Sequence, residues 1–295
     1  MAEVKTAYRT TVWSAIVFAI AVPFWFHSVA LAQQTFAGKP DSDGSLAERE
    51  YDPTATLTQV QIKDSYTSDE YGSRAQPNAL QIRPILAIFP STLIPFPQLL
   101  RLTFRIVTKA EGGGPATVTG YDDMQLLDLL VAPWPNPREI NFRWGFGPYF
   151  VLPTSTTEKA GQGAWQMGPA LGFSYRGIQS LNLAGLVQQG TSFAYTSSHS
   201  APVTSISFQP MISYQLGDGY YLKSSDAILA FNLRHNTSTT IPISAGAGKV
   251  WKLSQGYSLD TSVSGEWMVY GQFSTRTEKF TLSFQISRLL PKVEF

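Results

Sequence analysis

The sequence alternates between apolar and polar residues over long stretches, and this is its strongest regular feature. Between residues 140 and 153 every even position is apolar or proline, whereas the odd positions include asparagine, arginine and glycine. Residues 165–176, 206–216 and 280–286 repeat the pattern. A period of two residues is that of a β-strand with one apolar face and one polar face.

Eight less regular segments complete the pattern and are separated by clusters of Gly, Pro, Asn and Ser. They lie at 56–64, 78–89, 98–109, 120–131, 180–192, 219–233, 240–253 and 257–270. Together with the four regular segments they predict about twelve strands. The alternation falters at Asp128 and Lys249, where we expect a bulge or a shifted strand boundary.

Two architectures bury alternating strands: a soluble sandwich or barrel with the apolar face inside, and an outer-membrane barrel with that face toward lipid. Three features favour the second. The strands are long enough for a tilted crossing of the hydrocarbon, and their polar faces carry mainly Gly, Ser, Gln and Asn rather than Lys and Glu. Connections are tight at 177–179, 217–218 and 254–256 and mostly longer at the other end, although 90–97 and 132–139 are exceptions. We therefore predict an all-β, transmembrane antiparallel barrel.

Aromatic residues near the predicted strand ends suggest two girdles, as such barrels carry at both membrane interfaces. Those at the end with tight turns are Tyr220, Tyr221, Trp251 and Tyr257, and those at the end with longer loops are Trp165, Trp267 and Tyr270.

The first residues of the chain predict export. Residues 1–32 combine a short basic start, an apolar run and the small-residue sequence Ala30-Leu31-Ala32, which is typical of a cleaved signal peptide. An uncleaved anchor helix is the alternative, but the apolar run is shorter than the ~20 residues that span a bilayer. Residues 33–55 are polar and locally acidic and predict a periplasmic linker or a small plug, and 56–295 form the barrel.

Four motifs carry a resemblance to a known family. They are Trp144-Gly-Phe-Gly-Pro-Tyr-Phe-Val-Leu-Pro-Thr-Ser-Thr156, Gly163-Ala-Trp-Gln-Met-Gly-Pro169, Gly219-Tyr-Tyr-Leu-Lys-Ser-Ser225 and Gly246-Ala-Gly-Lys-Val-Trp-Lys-Leu253. The chain resembles the bacterial outer-membrane barrels that are often labelled "neuromedin U"-like, which are close to the MetA-pathway phenol-degradation family of transporters. This resemblance implies an outer-membrane barrel, suggests transport, and transfers no catalytic residue.

Composition and charge exclude several other classes. A charged fraction of 15% and a mean hydropathy of -0.05 argue against both a disordered chain and a polytopic helical membrane protein. The formal net charge of +1 offers no basic excess for nucleic acid. Because the chain has no cysteine, it has neither a disulfide scaffold nor a Cys-ligated metal site.

Catalytic and cofactor motifs are weak, so we predict no enzyme activity, no cofactor and no metal site. His199 stands beside a serine and, like His235, falls in a predicted loop. A hydrolase would need a third group positioned in space, which sequence neighbours seldom supply. Ala245-Gly-Ala-Gly-Lys249 resembles a phosphate loop but lacks its first glycine and its final Ser or Thr. Small residues against a crowded barrel wall explain it better.

The charged residues on the predicted inner faces are the informative set. They are Arg83, Arg101, Arg105 and Arg143, with Asp123, Asp260 and Glu266 as acidic partners. An internal salt-bridge network is one interpretation. The other is a basic constriction that selects anionic or polar aromatic solutes. In a third, the acidic stretch from Asp41 to Asp52 enters the lumen and neutralises the arginines.

We therefore predict an outer-membrane channel for passive uptake of small solutes, with a structural or lipid-contacting barrel of sealed lumen as the alternative. The expected partners are outer-membrane lipids, a small-molecule solute and the barrel-assembly machinery, with no nucleic acid. The assembly signal is imperfect: the chain ends in Phe295, but Pro291 interrupts the pattern and the last strand is expected to stop near Leu290.

Overall fold

The alternating segments form antiparallel strands joined edge to edge in one sheet. A computed structural model of the chain describes residues 52–55, 57–92, 94–132, 141–196, 201–224, 227–233, 239–254, 257–271 and 277–290. The strands are β1 Gln59–Tyr71, β2 Asn78–Ile88, β3 Gln98–Ala110, β4 Thr117–Tyr121, β5 Met124–Val131, β6 Phe142–Leu152, β7 Ala164–Ile178, β8 Leu181–Tyr195, β9 Thr204–Gly217, β10 Tyr220–Lys223, β11 Leu229–Asn232, β12 Thr240–Lys252, β13 Ser258–Gly271 and β14 Thr277–Leu289.

The sheet closes into a barrel of twelve strands, as the sequence predicts. Each strand pairs with its neighbours in the chain, and β1 pairs with β14 to close the ring. Two of the twelve strands are interrupted. β4 and β5 both pair with β3 and together form the fourth, and β10 and β11 both pair with β9 and β12 and form the ninth. The pairing of β1 with β14 joins the two outermost strands of the sheet, and a lipid environment requires such closure.

The two ends of the barrel differ in their connections. At one end, which we call the terminal end, lie the start of β1 at Gln59 and the end of β14 at Leu289. The β7–β8 and β9–β10 turns at this end have two residues each, whereas 89–97 and 132–141 are longer, as predicted. The opposite end, which we call the loop end, carries the connections 72–77, 111–116, 153–163, 196–203 and 233–239.

The β9–β10 turn depends on glycine. Gly217, Asp218 and Gly219 all have positive φ, at 98°, 51° and 80°. A side chain at Gly219 would also bring its Cβ to 2.4 Å from the carbonyl oxygen of Val250. The Val250 amide donates a hydrogen bond to Gly219 at 3.0 Å, so this turn is fastened to the neighbouring strand β12.

The outer face is an apolar belt, and the predicted strand phases are confirmed. The outward positions of β6, β7 and β14 carry apolar and aromatic side chains that are half-exposed to exposed. Trp165, Trp267 and Tyr270 are exposed at the loop end, and Tyr220 and Trp251 at the terminal end. The prediction for Tyr221 is wrong, because its side chain is completely buried inside the barrel.

Most inward positions are small or polar. On β13 and β14, for example, serine, threonine, aspartate and glutamine occupy alternate buried positions, and few charged residues interrupt them. One inward patch is instead apolar. It consists of Ile85, Leu99, Leu127, Leu129, Ala170, Ala184, Leu186 and Met211, from β2, β3, β5, β7, β8 and β9.

Several predictions fall on residues outside the described ranges. These are the signal peptide 1–32, residues 33–51 of the predicted linker or plug, and the chain end from Pro291 to Phe295. Among the residues that the structure describes, none belongs to a helix with the length and apolar character needed to cross a membrane.

Candidate functional site

A wide cavity opens toward the loop end of the barrel and has a volume of about 1030 Å³. We call it the vestibule. Its wall carries charges of both signs: the cations are Lys63, Arg83, Arg105, Lys109 and Lys159, and the anions are Glu70, Glu111, Glu266 and Glu278. Ser65, Thr281 and Ser283 supply hydroxyl groups between them. The vestibule is therefore a wet, strongly charged compartment rather than an apolar ligand pocket.

Arg83 lies where the vestibule narrows. It lines both the vestibule and a second cavity of about 40 Å³ beneath it, which we call the lower cavity. Its side chain is buried, and Nη1 donates to Oε1 of Gln61 at 3.2 Å. With the amide of Gln81 turned so that its oxygen faces Arg83, that oxygen accepts from Nε at 3.1 Å. These two amide oxygens therefore help to hold the guanidinium in place.

Arg101 and Arg105 continue this positive wall on β3. Arg101 is buried and lines the lower cavity, whereas Arg105 is about one-third exposed in the vestibule. Nη1 of Arg105 lies 3.3 Å from Oδ2 of Asp122, whose side chain is 13% exposed. This ion pair is partly exposed to solvent. Asp122 therefore weakens the positive potential that Arg105 creates in the vestibule but does not cancel it.

Asp123, the acidic partner expected from the sequence, has a different set of contacts. Its buried carboxylate accepts hydrogen bonds from the backbone amides of Ser155 at 3.2 Å, Gln162 at 2.6 Å and Gly163 at 3.2 Å. It therefore fastens the connection between β6 and β7. The neighbouring Asp122 makes the ion pair with the arginine wall instead.

Arg143 is not among the residues of either cavity. It stands one residue from the start of β6, at the terminal end, opposite Ser174 of β7. Arg176, two residues further along β7, donates from Nη2 to Oδ2 of Asp52 at 2.7 Å. The structure thus divides the predicted arginines between the base of the vestibule and the terminal end.

Asp260 is completely buried on the inner face of β13 and accepts a hydrogen bond of 2.7 Å from the Tyr221 hydroxyl. Tyr221 reaches it from β10 by passing over Gly248 of β12, the residue that pairs with it. Lys223 of β10, which pairs with Gly246, donates to Ser262 of β13 at 2.8 Å. Gly248, in the segment that resembles a phosphate loop, therefore makes room for the Tyr221 side chain of the adjacent strand. Glu266 lies nearer the loop end of β13 and lines the vestibule.

The rim of the vestibule carries an exposed ion pair. Nζ of Lys159 lies 2.9 Å from Oε1 of Glu111. The hydrogen bond from Lys159, and then its positive charge, hold the pKa of the Glu111 carboxyl below its usual value. Glu111 therefore stays ionised at the mouth of the barrel to a lower pH than an isolated glutamate.

In the ranges that the structure describes, no three His, Asp or Glu residues lie together in a way that could hold a metal ion. His199 and His235 lie outside the described residues.

Sequence reasoning did not single out Asp122, Arg176, Tyr221 and Lys223 as lumen residues. Arg176 shares the polar phase of the buried Gly172 and Ser174 in β7. Lys223 shares the phase of Tyr221 in β10, which the sequence analysis assigned to a girdle. Asp122 gave no such signal, because it lies in the break between β4 and β5.

Comparison with solved structures gives the same architecture. An outer-membrane channel from Pseudomonas putida F1 superposes with a TM-score of 0.54 at 14% identity, covering 82% of this chain and 98% of that one. The KdgM porin gives a TM-score of 0.41 at 10% identity, covering 78% of this chain and 97% of that one. The NanC porin gives a TM-score of 0.43 at 11% identity, covering 78% of this chain and 98% of that one. No known family and no characterised protein matches the sequence.

The likeness to the Pseudomonas putida F1 channel, at 14% identity, shows the fold alone. The chain is thus an all-β, twelve-stranded barrel of the outer-membrane type. The resemblance to the "neuromedin U"-like and phenol-degradation barrels stays a prediction.

Proposed function

We propose that this barrel is a passive channel of the bacterial outer membrane that admits small anionic or polar aromatic solutes. The observation that carries the proposal is the charged vestibule of about 1030 Å³, which narrows onto the buried Arg83. An enclosed wall of fixed charges tunes which ions enter a pore. The apolar outer belt, with aromatic residues near both ends, supports placement in a bilayer.

The arginines are proposed to act as a selectivity filter. Arg83 and Arg101 are buried and adjoin the same small cavity, so an anion there is partly desolvated and their charge is poorly screened. At an effective dielectric constant near 20, one unit charge about 4 Å away contributes roughly 4 kcal/mol. Tyr149 packs against the inward apolar patch, which places an aromatic ring on this inner wall.

The orientation follows from the connections. Short turns face the periplasm and longer loops face outward in barrels of this kind. We therefore assign the terminal end to the periplasm and the vestibule to the cell exterior. An exported chain with a cleaved signal peptide and assembly by the barrel-assembly machinery are part of the same proposal, and lipids contact the belt.

Ion selectivity in a planar bilayer tests the filter. Under a KCl gradient the wild-type protein should prefer chloride, and the double variant Arg83→Gln with Arg101→Gln should lose most of that preference. Arg288→Gln is the matched control: this arginine points outward at the terminal end, 4.9 Å from the Tyr257 ring, so the preference should persist. An unchanged chloride preference in the double variant would refute the assigned role.

A structural barrel with a sealed lumen is the second candidate, because the inner wall carries an apolar patch that a water-filled pore does not need. Liposome swelling with sized sugars and sugar acids separates the two. A sealed barrel gives no swelling with any solute, whereas a channel gives a rate that falls with solute size.

A further inference from the structure

The chain enters the barrel before its first strand begins. Asp52, Pro53, Thr54 and Ala55 precede β1, yet all four are buried within the wall of strands. The Ala55 amide donates to the Asp52 carbonyl at 3.0 Å, which makes a turn. The amide and hydroxyl of Thr54 donate to Oδ1 of Asp52 at 2.8 and 2.6 Å. This Asp52–Ala55 segment is therefore compact and internally satisfied.

An ion pair anchors the Asp52–Ala55 segment to the wall. Oδ2 of Asp52 accepts from Arg176 of β7 at 2.7 Å, and the Asp52 side chain has no solvent exposure. Its other oxygen is used inside the turn. Removing one partner of a buried ion pair leaves the other uncompensated, so this contact decides whether the segment stays.

Apolar contacts with the inner wall also hold the Asp52–Ala55 segment in place. A Cβ built on Gly172 of β7 would lie 3.5 Å from Cβ of Pro53 and 3.2 Å from Cδ1 of Leu129. Pro53 thus lies against the inner wall at a glycine, next to the inward apolar patch. An apolar surface inside a polar lumen is costly when it faces water, and the segment covers part of it.

The Asp52–Ala55 segment lies across the lumen rather than along one side. Asp52, Pro53 and Ala55 adjoin the lower cavity, and so do residues of β1, β2, β3, β5, β9 and β14. The same segment contacts β7 through Arg176 and Gly172. The lower cavity that lies between the segment and these strands has a volume of about 40 Å³, which is close to the space of a water molecule.

We infer that the Asp52–Ala55 segment is a displaceable closure of the terminal end. Solute passes only when the segment moves away from its contacts with Arg176 and Gly172. This inference rests on the proposed channel function. Departure of Asp52 also removes the carboxylate that Arg176 contacts at 2.7 Å, so the charge of Arg176 then faces the opened exit.

An engineered disulfide tests the inference directly, because the chain has no cysteine of its own. The distance of 3.5 Å between Cβ of Pro53 and the Cβ position of Gly172 falls within the range of about 3.5–4.5 Å found in disulfides. The double variant Pro53→Cys with Gly172→Cys should therefore form a bond that locks the segment in place. Each single variant, given the same oxidant, serves as its control.

Conductance is measured in planar bilayers before and after reduction of the full-length protein. We expect the oxidised double variant to be silent and to conduct after reduction, and the single variants to be unaffected by redox treatment. Equal conductance in the fully oxidised and reduced states would overturn the closure and leave the channel function standing.

Substitution of the anchor supplies the complementary measurement. Asp52→Asn and Arg176→Gln should each raise the open probability about tenfold or more, because the closed state loses an interaction that the open state lacks. Lys279→Gln is the matched control: it breaks an ion pair of 2.8 Å with Asp69 that lies outside the lumen, and gating should not change. Unchanged open probability in both anchor variants contradicts the closure. If neither these variants nor the reduced double variant conducts, the channel function itself is wrong.

Discussion

The crossing of Tyr221 over Gly248 yields the sharpest stability prediction. An alanine at 248 would place its Cβ 2.4 Å from the Tyr221 hydroxyl oxygen, 2.5 Å from Cζ and 2.8 Å from Cβ of Ser262. Tyr221 has no solvent exposure, so its ring cannot turn aside without displacing other side chains. The substitution Gly248→Ala therefore forces a movement of the ring.

The magnitude has two parts. Overfilling a well-packed interior costs about 1–3 kcal/mol. If the ring moves, the hydrogen bond of 2.7 Å from Tyr221 to Asp260 is also lost, and hydrogen bonds to charged groups contribute roughly 1.5–3 kcal/mol. We expect Gly248→Ala to lower the free energy of unfolding by about 2–5 kcal/mol.

Urea unfolding of the barrel refolded in lipid vesicles, followed by tryptophan fluorescence, measures the effect. Gly190→Ala is the matched control, because the atom closest to a Cβ at this inward glycine is the end of the flexible Gln166 side chain, at 3.0 Å, and Tyr149 lies at an ordinary contact distance of 3.6 Å. The double variant Gly248→Ala with Tyr221→Ala should be more stable than the sum of the two changes predicts. Additive effects, or a Gly248→Ala variant as stable as the wild type, would refute the assigned crossing.

Three further predictions concern the mouth, the wall and the belt. Lys159→Met should raise the pKa of Glu111 toward its usual value, which carboxyl-carbon NMR measures. Any stability that the ion pair contributes is present at neutral pH and is lost as the pH falls through the lowered pKa. Asp122→Asn should increase chloride preference in reversal-potential measurements, because it removes the acidic partner of Arg105. Asp128→Leu should stabilise the barrel in lipid by about 1–2 kcal/mol in urea unfolding, because this carboxylate shares the outward phase of Leu100, which pairs with it.

The sequence predicts the strands well, because the barrel wall faces lipid on one side and a polar lumen on the other, and residues along a strand alternate between the two. The phases of β6, β7, β9 and β14 follow from it without ambiguity. β5 is different, since Leu126, Leu127, Leu129 and Leu130 are apolar on both faces. The sequence could not reveal why apolar residues occupy the inward positions 127 and 129, because the reason is a chain segment packed inside the lumen.

The charged site was predictable in its arginines and not in its pairings. Arg83, Arg101 and Arg105 share the inward phase of their strands, so alternation alone places them. The choice between Asp122 and Asp123 depends on a break in the fourth strand, which moves one carboxylate to the wall and the other to a loop. Such breaks are set by tertiary contacts, and no local pattern announces them.

The pairing of β1 with β14 determines when the molecule can be finished. Ser65 and Ser283 contact each other across a separation of 218 residues, and Thr67 and Thr281 across 214. These contacts form only after the last strand has been synthesised, so closure cannot begin while the chain is still growing. A chain cut short before β14 would keep two unpaired edges that no other strand of the barrel can cover. Pairing of the first and last strands therefore requires that translation has been completed. Only the full set of twelve strands closes the sheet, as insertion into lipid requires.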